Sequence, residues 1–378
     1  MKDDSKMKNQ AVAIIRAALD ITTDSVVFDE RNIADLVRLF SKQSLQYVMI
    51  VGLKKMGCAH LLGDSLKRYE AKAAYDYIQR KESIRQISEA LNFSGVEHIP
   101  LKGAALRSLY PDPCMRSSSD IDVLVHEKDL DSAIRIIEEK TSFVFQEKTL
   151  HNAHFLSERL HLELHFSLQS NIKQMDRVLD KAWQYSCCSE DYVCDFTPEY
   201  QVFYITAHAA KHFIRGGGIG IRPLLDLWML KTKTTYDENT VEQLCEEAGI
   251  HGYYIACMKL INVWFANDQY DEITDELESI VFSGGVFGSD HLKILAHKRK
   301  TGKSYMASRF VRPRNEIVEM YPICRNHPVL IPICQVARWT HLFNRKKRKA
   351  VREEIKHVNQ LDQVEIEKYD DLLRKLGL

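Results

Sequence analysis

The chain changes its periodicity twice, and the stretch between the two changes limits the architectures open to it. Over residues 11–19, 33–62 and 71–91, apolar side chains recur at three-and-four spacing, the mark of helices that bury one face. Between residue 96 and about 168 that rhythm gives way to short alternating runs around one clear helix. After residue 183 the helical spacing returns, over 199–213, 224–230, 240–248 and 253–265. A compact unit of strands and a helix set between helical flanks predicts an α+β fold with a small mixed sheet. The expected division is 1–95 as an N-terminal helical region, 96–186 as the core and 187–378 as a C-terminal helical domain.

Within the core, residues 98–101 read as a short strand feeding a Lys102-Gly103 turn. Residues 104–110 form a brief helix that Pro111 and Pro113 stop. Residues 121–125 are a strand, and 127–139 an amphipathic helix built on Leu130, Ala133, Ile134 and Ile137. Runs at 143–145, 154–156 and 160–166 complete the sheet.

The chemistry is concentrated on Asp120-Ile121-Asp122. Successive side chains of a strand alternate faces, so the two carboxylates project together while Ile121 and Val123 enter the core. Adjacent carboxylates repel unless a cation lies between them. Mg²⁺ takes hard oxygen ligands and keeps positions open for phosphate oxygens, which suits the pair. Glu163 is the candidate third carboxylate, on the polar face of the alternating run His161-Leu162-Glu163-Leu164-His165. An Asp-x-Asp tripeptide taken alone reads more readily as an exposed strand with its acids in solvent.

The order of the motifs goes further. Leu101-Lys102-Gly103, Tyr110-Pro111, Arg116, Asp120-Ile121-Asp122 and Glu163-Leu164-His165-Phe166 follow one another along the core. His208-Ala-Ala-Lys211-His212 and Arg222-Pro-Leu-Leu-Asp226 follow downstream. This series resembles the nucleotidyltransferase superfamily that includes DNA polymerase β. It is most similar to a bacterial family of uncharacterised nucleotidyltransferases, over roughly residues 30–345. The resemblance implies a metal-dependent transfer of NMP from an NTP, ATP among the candidates, to an acceptor, with release of pyrophosphate. Asp120, Asp122 and Glu163 would hold Mg²⁺ or Mn²⁺ and carry catalysis. Lys102, Gly103, the start of the Ala104 helix, Arg116 and Ser119 would surround the nucleotide. Lys211 would close on its phosphates, with Asp226 orienting Lys211, unless the two form a helix-to-helix ion pair. One departure stands out: the superfamily's Gly-Ser turn is Gly103-Ala104 here, so no serine hydroxyl at 104 holds phosphate. That loss favours an alternative, a nucleotide-binding or antitoxin-like partner without turnover. A toxin-like enzyme nucleotidylating a protein or tRNA is the other. Sugar phosphate, peptide, protein and tRNA all remain open as acceptors.

Composition narrows the setting. Lys+Arg and Asp+Glu both number 52, so net charge singles out neither nucleic acid nor an anionic membrane as partner. No apolar run approaches the roughly 20 residues of a membrane helix, and the polar start of the chain lacks a signal-peptide layout. Nine cysteines without a CxxC pair predict a reduced, cytoplasmic protein. His208 and His212 have the spacing of a zinc pair, but Ala209 stands where a zinc protease has Glu. The His161/Glu163/His165 face is a second possible transition-metal site, the simpler reading being that His165 orients Glu163. Residues 301–304 resemble the end of a P-loop without its first glycine, and Gly216 to Gly220 follow a helix rather than a strand. The basic run 345–349 reads as a solvated helix face more readily than as an RNA contact.

Overall fold

The computed structural model describes residues 2–22, 26–28, 30–189, 191–286, 311–312, 314–321, 323–339 and 363–378. Residues 301–304 and the basic run 345–349 lie outside them. Four helices come first: α1 (Lys2–Ala18), α2 (Glu30–Lys42), α3 (Gln46–Lys55) and α4 (Asp64–Phe93). The core follows as β1 (His98–Pro100), α5 (Gly103–Leu106), β2 (Asp120–Val125), α6 (Leu130–Lys140), β3 (Val144–Lys148), β4 (Asn152–Leu156) and β5 (His161–His165). Beyond it lie α7 (Lys173–Leu179), the hairpin β6 (Ser186–Cys188) and β7 (Cys194–Phe196), then α8 (Pro198–Gly216), α9 (Arg222–Lys233), α10 (Glu238–Glu247), α11 (His251–Phe265) and α12 (Glu272–Ser283). The fold is thus α+β, a small mixed sheet with helices on both sides in sequence.

Alternation explains the sheet. Its order is β1-β2-β5-β4-β3, with β2 and β5 parallel and the other pairs antiparallel. Ile121, Val123, Leu162, Leu164, Ala153 and Phe155 all face one side, where they are buried against Leu130, Ala133 and Ile137 of α6 and Ile87 and Leu91 of α4. The polar residues between them face the other way.

A second and larger apolar core gathers α1, α2 and α3 together with α8 to α12. Helix α4 belongs to both cores: Leu66 packs in the larger one, and Ile87, Ala90 and Leu91 in the sheet's. At 30 residues it spans about 45 Å. Ile78, which the periodicity predicts on the buried side, is 60% exposed. Ile84 is partly buried against the sheet's core, and the stripe becomes fully buried at Ile87.

Two further expectations are corrected. The helical spacing over 33–62 is interrupted at Ser44, whose φ of 54° breaks it into α2 and α3. The turn is held from within by buried Gln43, which donates to the carbonyls of Val281 and Gly284 and accepts from the Ile221 amide. In addition, residues 186–196 form a hairpin at the start of the region expected to be a helical domain. It places Cys188 directly opposite Cys194, and the two are joined as a disulfide, against the reading of all cysteines as reduced. No helix among the described residues is long and apolar enough to cross a membrane.

Helices α1 and α3 touch at Gly52. A β-carbon there would lie 2.2 Å from the Ile14 carbonyl oxygen and 2.7 Å from its Cγ2. Gly52→Ala is expected to push α1 off α3 and destabilise the protein by roughly 1–3 kcal/mol. A lower urea midpoint with unchanged slope is the readout; an unchanged midpoint would mean the helices do not approach this closely.

Candidate active site

The parallel pairing of β2 and β5 sets Asp120 opposite His161 and Asp122 opposite Glu163. Antiparallel β4 adds His154 beside Glu163 and Asn152 beside His165. One sheet face therefore carries seven polar side chains in register. Asp122 is 3% exposed, and its Oδ1 accepts from the Lys102 ammonium at 2.7 Å and lies 2.9 Å from His165 Nε2. Burial alone raises a carboxyl's pKa, yet Lys102 and His165 hold Asp122 well below the usual carboxylate range. Burial likewise disfavours the Lys102 ammonium, and the Asp122 carboxylate reverses that.

Glu163 is fixed by Asn152, whose Nδ2 donates to Oε2 at 3.1 Å, while His165 Nε2 is 3.4 Å from the same oxygen. Asp122, Glu163 and His165 each offer a ligand atom within 4.8 Å of the others, as do His154, His161 and Glu163. Asp120 is only partly buried and accepts from the Ser119 hydroxyl at 3.2 Å.

Lys102 reaches Asp122 from a strained backbone, φ 48° and ψ −116°, a region costly for a residue with a β-carbon. The following Gly103 is needed for close approach: a β-carbon there would sit 3.3 Å from Ser118 Cβ and 3.6 Å from Arg107 Nη2. The Ala104 amide, expected among the phosphate donors, instead donates to the Leu101 carbonyl at 3.0 Å. The turn closes on itself, so that donor is already engaged.

Arg116 and Asp226 are also placed differently from expectation. They form a bidentate pair, with Arg116 Nε and Nη2 donating to Asp226 at 2.7 and 2.8 Å, and Tyr110 donates to Asp226 Oδ1 at 2.7 Å. Both are buried, at 6% and 2% exposure. Asp226 is thus taken up by Arg116 and Tyr110 rather than by Lys211, which donates to the Gln169 carbonyl at 3.4 Å. Arg116 here fastens the 110–119 loop to α9.

Helix α8 covers the polar face of the sheet. Thr197 caps it by accepting from the Tyr200 amide, Pro198 opens it, and Gly217, at φ 76°, ends it in the left-handed conformation that glycine adopts without cost. Tyr204, His208 and His212 lie one turn apart in succession and, with Lys211, Asp120, Glu163 and Lys102, line a cavity of about 360 Å³. His208 and His212 meet each other, Nε2 to Nε2, at 3.2 Å. They are not among the residue groups arranged to hold a metal in the described residues. Burial, then Lys102, push His208 well below its ordinary range; burial, then Lys211, take His212 down to about 4. Both are neutral imidazoles near pH 7. A narrow cleft of about 90 Å³ continues past Gly103, Ser118, Asp120 and Asp122 toward Arg222.

Tyr110 stands in the motif series, whereas residue spacing did not point to Asn152, Arg107 or Ser118. Asn152 is recoverable from β4 register once the sheet is known; Arg107 lies in the short helical turn that follows α5 and Ser118 in the loop before β2, both too short to show periodicity.

Paired carboxylates on adjacent strands after a glycine turn thus face a cleft with a helix over it. The chain belongs to the family described as uncharacterised nucleotidyltransferase, which matches residues 29–266. No curated protein and no solved structure matches it.

Two measurements follow. Asp226→Ala leaves the Arg116 guanidinium buried without its carboxylate, and a loss of about 3–5 kcal/mol in unfolding free energy is expected; a loss below about 1 kcal/mol would show that the pair is not a fastening. Stability is also expected to fall as pH drops from 6.5 toward about 4. An unfolded histidine binds a proton below its ordinary 6.5, whereas folded His212 does so only near 4. Each such group contributes a slope of at most about 1.4 kcal/mol per pH unit in that window. His212→Gln should flatten the profile, and an unaltered slope would show that His212 is not held neutral.

Proposed function

We propose that the protein transfers a nucleoside monophosphate from an NTP to a hydroxyl or phosphate acceptor, with pyrophosphate leaving. The observation that carries this reading is the register of β2 and β5, which sets Glu163 beside Asp122 on the face that also carries Asp120. The donor set fits a hard divalent cation: Asp122 and Glu163 offer ligand atoms within 4.8 Å of each other, Asp120 lies on the same face of β2, and the Lys102 ammonium 2.7 Å from Asp122 is a positive charge already held by these acids. Asp120, Asp122 and Glu163 would hold Mg²⁺ or Mn²⁺, which supplies activation of the attacking oxygen and stabilisation of the leaving one.

The chain's own residues set up the rest. Lys102 and His165 keep Asp122 ionised, and Asn152 holds Glu163 in place. Glu163 lines the larger cavity beside Asp120 and is the carboxylate placed to take the proton from an acceptor entering there. His208 and Lys211 from α8 close the opposite wall and limit access of water. Ser119 stands at the entrance of the narrow cleft beside Asp120, where an α-phosphate would arrive. The acceptor enters from the α8 side, and the triphosphate extends along the cleft past Gly103 and Ser118.

The test is pyrophosphate release from each of the four NTPs with Mg²⁺ or Mn²⁺, using fractionated bacterial lysate as the source of acceptor. Wild type is expected to release pyrophosphate, and Asp120→Ala and Asp122→Ala to lower the rate by roughly a hundredfold or more. Release that persists unchanged in folded double-variant protein would sink the assignment. Tight NTP binding with no release for any lysate would favour the non-catalytic, nucleotide-binding alternative.

A further inference from the structure

Next to the narrow cleft at Asp120 lies a cavity of about 290 Å³ between the middle of α4, the loop after α5 and the start of α9, and Arg116, Ser118, Ser119 and Arg222 line both. Five cations line this cavity: Lys72, Arg80, Arg107, Arg116 and Arg222. Asp76 is the single carboxylate residue in its wall among the described residues.

Two of the five are already answered, Lys72 by Asp76 and Arg116 by Asp226. The other three have no carboxylate partner among the described residues. Arg80 Nη1 donates to the Asp76 carbonyl at 3.2 Å; Arg107 donates to the Arg116 carbonyl and to Ser118 Oγ, at 3.2 and 3.1 Å; Arg222 Nη2 donates to Ser117 Oγ at 3.4 Å. Neutral oxygens answer the hydrogen bonds and leave the charge. The Nε atoms of Arg80 and Arg222 are buried with no acceptor. Burial, and then neighbouring Arg116, push both Arg107 and Arg222 down to about 10, so the cluster carries positive charge against the cost of burial.

Such a site suits an anion. Guanidinium groups present planar forks that match phosphate oxygens, and the serine run 117–119 adds hydroxyls along the way in. The line from the Asp120–Asp122 carboxylates through the cleft to the arginines is the line an extended triphosphate would follow. We propose that this cavity is the polyphosphate subsite, receiving the β- and γ-phosphates of the substrate and then the pyrophosphate product. The proposal rests on the nucleotidyl-transfer reading for its substrate, though not for the anion chemistry of the cavity. It moves phosphate recognition from the Lys102-Gly103-Ala104 turn, whose Ala104 amide is spent on Leu101, to side chains from α4 and α9.

Binding of inorganic tripolyphosphate to the full chain, measured by calorimetry at low ionic strength without metal, tests it. Wild type is expected to bind, and Arg80→Ala and Arg222→Ala each to weaken binding at least about tenfold, with Arg80→Lys in between. Lys211→Ala, in the other cavity, should bind like wild type. Arg80 lies on the partly exposed surface of α4, so its variant carries the test if Arg222→Ala fails to fold. No binding by wild type, wild-type affinity in folded Arg80→Ala, or loss in Lys211→Ala instead would each overturn the proposal. Arg80-dependent binding without pyrophosphate release from any NTP would keep the anion site and defeat the transfer reading. Release with tripolyphosphate binding indifferent to Arg80 would do the reverse.

Discussion

The Arg116–Asp226 pair, with Tyr110 on the same carboxylate, is the interaction on which the arrangement of the site depends. It joins a loop of the sheet unit to a helix more than a hundred residues further on. Removing both charges from water costs several kcal/mol for each ion, and only full bidentate geometry with an added hydrogen bond offsets this. The return lies in position. With Arg116 anchored, Ser117 to Ser119 are drawn into Asp120, and the cleft acquires a fixed wall against α9. Ser117 adds a second tie, donating to the Ser44 carbonyl at the turn between α2 and α3.

Around that fastening, two cores share one long helix. The sheet's apolar face rests on α6 and the end of α4, while the N-terminal helices pack with those that follow residue 198. The N-terminal helices and those after residue 198 therefore share one core instead of forming separate lobes in sequence order. Helix α4 crosses from one core to the other, and its middle turns carry Tyr69, Lys72, Tyr77 and Arg80 to the wall of the arginine cavity. Any ligand seated there touches an element rooted in both cores.

Much of the sheet and its carboxylates was legible in the sequence. Period-two alternation at Asp120-Ile121-Asp122 and His161-Leu162-Glu163 dictates the common face, and the helix between the runs permits the parallel pairing that makes Asp122 and Glu163 neighbours. Local signals gave less elsewhere. Ser44 breaks a helical pattern because buried Gln43 finds its partners near residues 221 and 281–284, which no window around 44 contains. The hairpin at residues 186–196 is too short for alternation to show. Arg116 reads as a phosphate ligand until Asp226 is seen beside it, and Lys72, Arg80, Arg107 and Arg222 come from three separate segments. A cluster assembled that way leaves no spacing to find.

The register of β2 against β5 has a consequence for how such chains can vary. Alternation makes the site a matter of parity: one residue gained or lost within β5 would turn Glu163 and His165 into the apolar face and bring Leu162 and Leu164 out beside Asp122. A change of two would shift the pairing and keep the faces. Descendants of this chain can therefore lengthen the turns at 149–151 and 157–160 by any number of residues. Within the strands themselves, length changes that preserve the site are confined to even steps.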